Sequence, residues 1–239
     1  MRRRKIATSA ALVALAGLAI TLILVNWVFL VREVGVEGNS SIPSEEIIRW
    51  AKLPLGERLN SVDEALVKAQ LESNGLVELL ELRKRYPSEV VLVVRERVRD
   101  AVVAHAGMLL ALEGDGTVVE VAGEMPDDAV YVTGLQITSS PRLGQVVGAP
   151  SEQLDAMKRV LAAVSGADAS QYVSELNVQD ANSIYIYSRT GMRVELGDAS
   201  NMVRKVLWMA GALKDLESRG ETAGRLDVSS GDKADYSPN

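Results

Sequence analysis

Residues 77–96 read VELLELRKRYPSEVVLVVRE. Two β-rich runs, Val77–Tyr86 and Glu89–Glu96, flank a turn at Pro87-Ser88 and predict a pair of strands. The run Val90–Val94 is apolar at every position, as a strand buried on both faces would be, so it is expected in the centre of its sheet. Upstream, Val34 and Val36 alternate with other residues before Gly38-Asn39 turns the chain, which predicts one more short strand. Pro43-Ser44-Glu45-Glu46 opens a helix whose apolar face holds Ile47, Ile48 and Ala51. After the connection Leu53–Gly56, Ser61 and Glu64 have capping-box spacing, and Val62, Ala65, Leu66 and Ala69 continue at helical period up to Asn74-Gly75. The order strand, helix, helix, strand, strand predicts two helices packed on a small sheet.

Downstream, Leu109–Leu112 and Thr117–Val119 flank Glu113-Gly114-Asp115-Gly116, a hairpin signal. Pro141 to Pro150 reads as a loop. Leu154, Met157, Leu161 and Val164 mark an amphipathic helix. Val173–Val178, Ser183–Tyr187 and Met192–Leu196 read as strands, the second turning into the third at Arg189-Thr190-Gly191. Val203, Val206, Leu207, Ala210 and Leu213 mark a further helix closed at Gly220. Arg225–Val228 is expected as a last short strand before a polar tail.

Ile6 to Val31 contains no charged side chain. A bilayer core takes about 20 apolar residues in a helix, so this run is long enough to span it. Arg2, Arg3, Arg4 and Lys5 precede it and predict a cytoplasmic N-terminus with the rest of the chain outside. Trp27 and Phe29 suit the outer interface. A cleaved signal peptide, with Ala14-Leu15-Ala16 as its site, is the rival reading, but the apolar run extends well beyond the usual 7–15 residues. Ala7/Ala11 and Ala10/Ala14 repeat small residues four apart, a spacing that alanine-rich membrane helices also give by chance. Four of the 26 basic residues precede the span, leaving 22 against all 32 acidic residues in the remainder. That balance disfavours nucleic acid as a partner. Without cysteine there is neither a disulfide nor a thiolate metal site, and about 200 residues must be stabilised by their own core.

Three stretches carry a resemblance. They are Val36-Glu37-Gly38-Asn39-Ser40-Ser41-Ile42, Gly56-Glu57-Arg58-Leu59-Asn60-Ser61-Val62-Asp63, and Arg85-Tyr86-Pro87-Ser88-Glu89-Val90 with Glu96-Arg97. Following a membrane helix, this order resembles the POTRA domain of the bacterial FtsQ/DivIB cell-division family, although Val98-Arg99 stands where the family commonly has a proline. Gly191–Gly197, Lys205 and Leu226-Asp227-Val228 extend the resemblance through the second half. It implies an α+β protein: cytoplasmic tail 1–5, transmembrane helix 6–31, POTRA domain 32–99 of order β-α-α-β-β, β domain 100–228 with a mainly antiparallel sheet, and polar tail 229–239. It implies a single-pass plasma-membrane protein at the division septum. Its partners would be FtsB/DivIC and FtsL homologues and other divisome proteins, and its role the control of septal peptidoglycan synthesis. Position by position, it places partner binding at Leu226, Asp227, Val228, Ser229, Ser230, Gly231 and Tyr236, by addition of a partner strand to the last strand.

The residues point to no catalytic site, cofactor, metal or small-molecule substrate. His105 is the one histidine and reads as a strand or junction residue rather than part of a triad or metal cluster. Gly114-x-Gly116 lacks the third glycine, the lysine and the helix of a phosphate loop. Glu45-Glu46 and Asp127-Asp128 read as a helix start and a solvated loop, although paired acids leave open a membrane-anchored envelope enzyme such as a peptidoglycan hydrolase. Translocation by an outer-membrane POTRA protein would call for a long carboxy-terminal barrel or an associated one, and this length cannot hold a barrel of its own.

Overall fold

The computed structural model describes residues 12–21, 27–123 and 129–238. The expected membrane helix 6–31 is therefore described only in part. Residues 12–21 are helical and exposed throughout. Among the described residues no helix is long and apolar enough to cross a membrane. Arg2, Arg3, Arg4, Lys5 and the Asp127-Asp128 pair lie outside the described residues. The chain divides into two compact units, one taking in the chain up to Ser73 and Val77–Glu96, the other Asn74–Leu76 and the chain from Arg97 onward.

The first unit has the expected order: β1 (Glu33–Glu37), α1 (Ser44–Ala51), α2 (Glu64–Glu72), β2 (Val77–Arg85) and β3 (Glu89–Glu96). Its sheet runs β1-β3-β2, so the all-apolar strand does lie in the centre, parallel to β1 and antiparallel to β2. Ile47 and Ala51 of α1 and Val67 and Leu71 of α2 are buried, as are Leu82, Leu92 and Val94 of the sheet. Helix α2 starts later than the capping-box spacing implies. Leu59–Ser61 forms a 3-10 turn in which Ser61 Oγ donates to the Arg58 carbonyl, and the cap is Asp63, whose carboxylate accepts from Ala65 N–H at 2.9 Å. Leu66, placed on the inner stripe by period alone, is exposed.

The two ends of this unit's sequence signature meet. The Glu96 carboxylate accepts backbone N–H from Ser40 at 2.6 Å, Ser41 at 2.9 Å and Ile42 at 2.9 Å, plus the Ser40 hydroxyl at 3.0 Å. Burial raises the pKa of this carboxyl, but those donors outweigh it and hold Glu96 below the ordinary glutamate value. Gly38 begins the turn at φ +94°, where a Cβ would stand 2.2 Å from the Val94 carbonyl oxygen.

Among the described residues the second unit is a nine-stranded sheet with two α-helices. In chain order these are β4 (Ala101–His105), β5 (Met108–Leu112), β6 (Val118–Ala122), β7 (Val130–Thr133), α3 (Ser151–Gly166), β8 (Val173–Asn177), β9 (Ile184–Ser188), β10 (Arg193–Gly197), α4 (Met202–Ser218), β11 (Arg225–Asp227) and β12 (Asp235–Ser237). The sheet order is β12-β11-β10-β9-β8-β7-β4-β5-β6. Five neighbouring pairs are antiparallel, and β10–β11, β7–β8 and β4–β7 are parallel, each of the last three bridged by intervening chain. The sheet is thus antiparallel-rich but mixed. Helices α3 and α4 share its core through Met157, Val160, Leu161, Val206, Met209 and Leu213. Strands β4 and β7 are not marked by the sequence pattern.

Two expectations need correction. The helix over 202–218 does not turn Val203 and Leu207 inward. They are 61% and 55% exposed, and the buried stripe is Met202, Lys205, Val206, Met209, Leu213 and Leu216. Lysine takes a core position because its ammonium reaches the Asp198 carbonyl and carboxylate, both at 2.8 Å. Nor is Arg225–Val228 the last strand: the polar segment after it folds back as β12 and pairs antiparallel with β11.

Candidate interaction edge at the carboxy-terminal strand

The ladder decides which backbone groups are free. Arg193 N–H donates to the Gly224 carbonyl and Val228 N–H to that of Glu195. On β11, residues 224, 226 and 228 therefore aim their backbone groups at β10, and 225 and 227 aim theirs at β12. The register pairs Arg225 with Ser237 and Asp227 with Asp235. By alternation the N–H and C=O of Tyr236 point away from the sheet. Pro238 contributes no N–H beyond it, so the open edge is short.

The residues singled out by resemblance fall into three roles. Leu226 and Val228 are fully buried and hold β11 in the core, a contribution of about 1.5–3 kcal/mol each. Asp227, Ser229, Ser230 and Gly231 make the turn: Asp227 accepts from Ser229 N–H at 2.9 Å, and Gly231, at φ +72°, donates its N–H to the Val228 carbonyl. Burial raises the pKa of Asp227, but Ser229 and the charges of Arg225 and Lys233 bring it below the usual aspartate value. Tyr236 alone among the seven presents backbone to the open edge. Replacing Val228 by proline would thus remove a bond inside the sheet, not a donor on the edge.

Strand β12 is held by its pairing with β11 and by Tyr236, which packs against the core. The Tyr236 hydroxyl donates to the Ala223 carbonyl at 2.7 Å, and Glu221 Oε2, at 3.1 Å, is the other acceptor within reach of the same proton. Partial burial and the Glu221 carboxylate both raise its pKa. Gly224, at φ +126°, lets the strand lie close, since a Cβ there would sit 2.6 Å from the Ser237 carbonyl oxygen. Beside it, Glu195 bridges Arg193 at 2.7 Å and Arg225 at 3.3 Å across β10 and β11. Lys205 and the serine at 200 draw the Asp198 pKa down to about 2 and fix the loop before α4. Sequence reasoning missed Asp198, Gly224 and the strand itself, since a three-residue strand among Ser, Gly, Asp and Lys gives no periodic signal.

Comparison with known proteins agrees with the architecture of the first unit. Residues 29–97 match the POTRA domain, FtsQ-type. The cell division protein FtsQ of Streptomyces bingchenggensis is 27% identical over 127 residues, covering 52% of this chain and 48% of that protein. FtsQ of a Geobacter species (strain M21) is 26% identical over 200 residues, 80% of this chain and 70% of that protein. The cell division protein DivIB of Clostridium tetani is 21% identical over 223 residues, 91% of this chain and 82% of that protein. Residues 29–97 thus match a POTRA domain of the FtsQ type, and the chain is similar to FtsQ and DivIB cell division proteins. It spans about half the length of the Streptomyces FtsQ and more of the other two. Among the described residues no three His, Asp or Glu side chains are grouped to hold a metal ion. His105 ends β4 opposite Met108, at a tight turn.

Proposed function

We propose that this protein is a non-enzymatic scaffold of the division septum. Residues 6–31 anchor it in the plasma membrane with residues 1–5 inside, and its folded units bind FtsB/DivIC and FtsL homologues outside. In this reading it helps to control septal peptidoglycan synthesis. The domain limits 32–99, 100–228 and 229–239 apply, with β12 lying inside the last segment. The names borne by its relatives, cell division protein FtsQ and DivIB, support the cellular role. The observation that carries the mechanism is the open edge of β12. A partner strand pairs with the outward N–H and C=O of Tyr236, while Leu226 to Gly231 hold that edge in register.

The test is co-purification of the full chain with the FtsB/DivIC homologue of the same genome. Tyr236→Pro removes the outward donor and should abolish the complex. Tyr236→Phe keeps the backbone and loses only the hydroxyl clamp, so it should retain most binding. Complex formation that survives Tyr236→Pro, with circular dichroism unchanged, contradicts docking at this edge.

A further inference from the structure

The chain enters the first unit without a free linker. Leu59 N–H donates to the Phe29 carbonyl at 2.9 Å, Val31 N–H to that of Glu57 at 2.8 Å, and Gly56 N–H to that of Val31 at 2.9 Å. Leu30 and Arg58 form an antiparallel bridge between them. Arg32 N–H donates to the Ser88 carbonyl at 2.9 Å, in the turn that joins β2 to β3. Val31 and Leu59 are buried at this seam. A segment bonded through its backbone to two loops moves with the body that carries them.

The same turn exposes a large aromatic side chain. Tyr86 is 60% exposed, and its ring meets that of Phe29 edge-on, with centroids 5.7 Å apart. Its hydroxyl donates to Asn60 Oδ1 at 2.7 Å, so a polar tip stands beside an open apolar flank. Two residues before Phe29, Trp27 is 70% exposed, and its carbonyl accepts from Arg32 Nη2 at 2.9 Å. Tryptophan, tyrosine and arginine at the end of an uncharged run are the side chains that settle among lipid headgroups. Phe29 belongs to the uncharged run Ile6–Val31 and touches Tyr86, so a bilayer that takes in the run brings its headgroup layer to Tyr86.

We infer that Tyr86, at the tip of the β2–β3 hairpin, contacts lipid, and that the occupant of this surface is the headgroup layer of the membrane in which residues 6–31 are anchored. The ring lies at the boundary of headgroups and acyl chains, and Arg32 meets the lipid phosphates. The first unit is then held at a fixed tilt on the membrane instead of swinging from a tether. The inference rests on the anchoring reading. It adds a second membrane contact, made by the folded unit itself.

The experiment places the full chain in vesicles of phosphatidylethanolamine and phosphatidylglycerol with no other protein. One tryptophan is read at a time, the others being replaced by phenylalanine, against lipid brominated near the headgroup and against iodide in the water. Trp27 should be quenched by the bromolipid, which checks the anchor. Tyr86→Trp should be quenched by it roughly twofold or more and be shielded from iodide. Leu80→Trp, at a position 56% exposed and about 20 Å along β2 from the tip, should respond to iodide alone. Ser88→Cys carrying a nitroxide reads the same tip with Tyr86 intact in a chain that has no other cysteine. Its signal should be relaxed more by oxygen, which concentrates in lipid, than by a water-soluble nickel chelate, and the reverse order overturns the inference. Quenching of Trp27 with none at position 86 leaves the anchor standing and overturns the lipid contact. No bromolipid quenching at either position overturns the anchor and the inference together. Equal bromolipid quenching at positions 80 and 86 overturns a contact confined to the tip. Shielding of position 86 from both quenchers overturns the lipid occupant, because a second copy of the chain then covers it.

Discussion

Glu96→Gln isolates the contact that joins the two ends of the POTRA signature. In the native protein Oε1 takes three backbone N–H groups, at 2.6 Å from Ser40, 2.9 Å from Ser41 and 2.9 Å from Ile42. Oε2 faces the Ser40 hydroxyl at 3.0 Å and the Ser41 N–H at 3.1 Å. Glutamine keeps one carbonyl oxygen for the first set but loses the charge, and its NH2 then faces the Ser41 donor. Hydrogen bonds to a charged group contribute about 1.5–3 kcal/mol each when buried. Here the segment is largely exposed and water can replace a lost partner, so the net loss is about 1–2 kcal/mol. That corresponds to roughly 5–30-fold in a local opening equilibrium. Hydrogen exchange of the full chain in micelles, followed at the amides of Ser40–Ile42, should therefore accelerate by that factor, with little change in β10. The pKa of Glu96 is depressed on folding, so its contribution is complete above the ordinary glutamate value and disappears as pH falls through the depressed one. The difference between native and variant should accordingly vanish in acid. Acceleration below about twofold at neutral pH, less than the 1 kcal/mol worked out here, refutes the argument.

Asp198→Asn should destabilise the second unit by about 1–2 kcal/mol, because Lys205 is 1% exposed and keeps only the Asp198 carbonyl as a full partner. A urea midpoint read from Trp208 fluorescence, with Trp27 and Trp50 replaced by phenylalanine, checks this. Since the folded pKa of Asp198 is about 2, the native stabilisation should persist from neutral pH down to the ordinary aspartate range and fade as pH falls towards 2. Gly224→Ala should detach β12, because its methyl meets the Ser237 carbonyl at 2.6 Å in a left-handed backbone; partner binding should fall while thermal unfolding of the sheet core barely changes. A peptidoglycan zymogram of the purified chain should show no cleared band, and clearing would establish an envelope hydrolase in place of a scaffold.

Much of the fold is legible in the sequence because burial there follows period. Val90–Val94 sits in the centre of its sheet because a strand apolar on both faces has no solvated side to offer. The strands at 184 and 193 alternate cleanly because only one face of the sheet meets α3 and α4, whereas a register shift between Val173 and Glu175 breaks the alternation of the strand at 173. Periodicity failed where polar contacts chose the face. Lys205 is buried by its bonds to Asp198, which turns Val203 and Leu207 outward against the apolar count. Asp63 rather than Ser61 caps α2, because the intervening residues first close a 3-10 turn. At the candidate edge, Leu226 and Val228 carry the visible signal but serve the core. The strand that offers free backbone, Asp235–Ser237, is held by a tyrosine hydroxyl, one glycine and a register, and none of these is periodic.

The central claim is that a division partner pairs with the outer edge of β12, and the amide of Tyr236 reports on it most directly. Hydrogen exchange at that amide should be fast in the free full chain and slow at least tenfold when the FtsB/DivIC homologue is bound, while the Val228 amide, already bonded within the sheet, stays protected in both states. A complex that forms with the Tyr236 amide still exchanging freely would contradict strand addition at this edge.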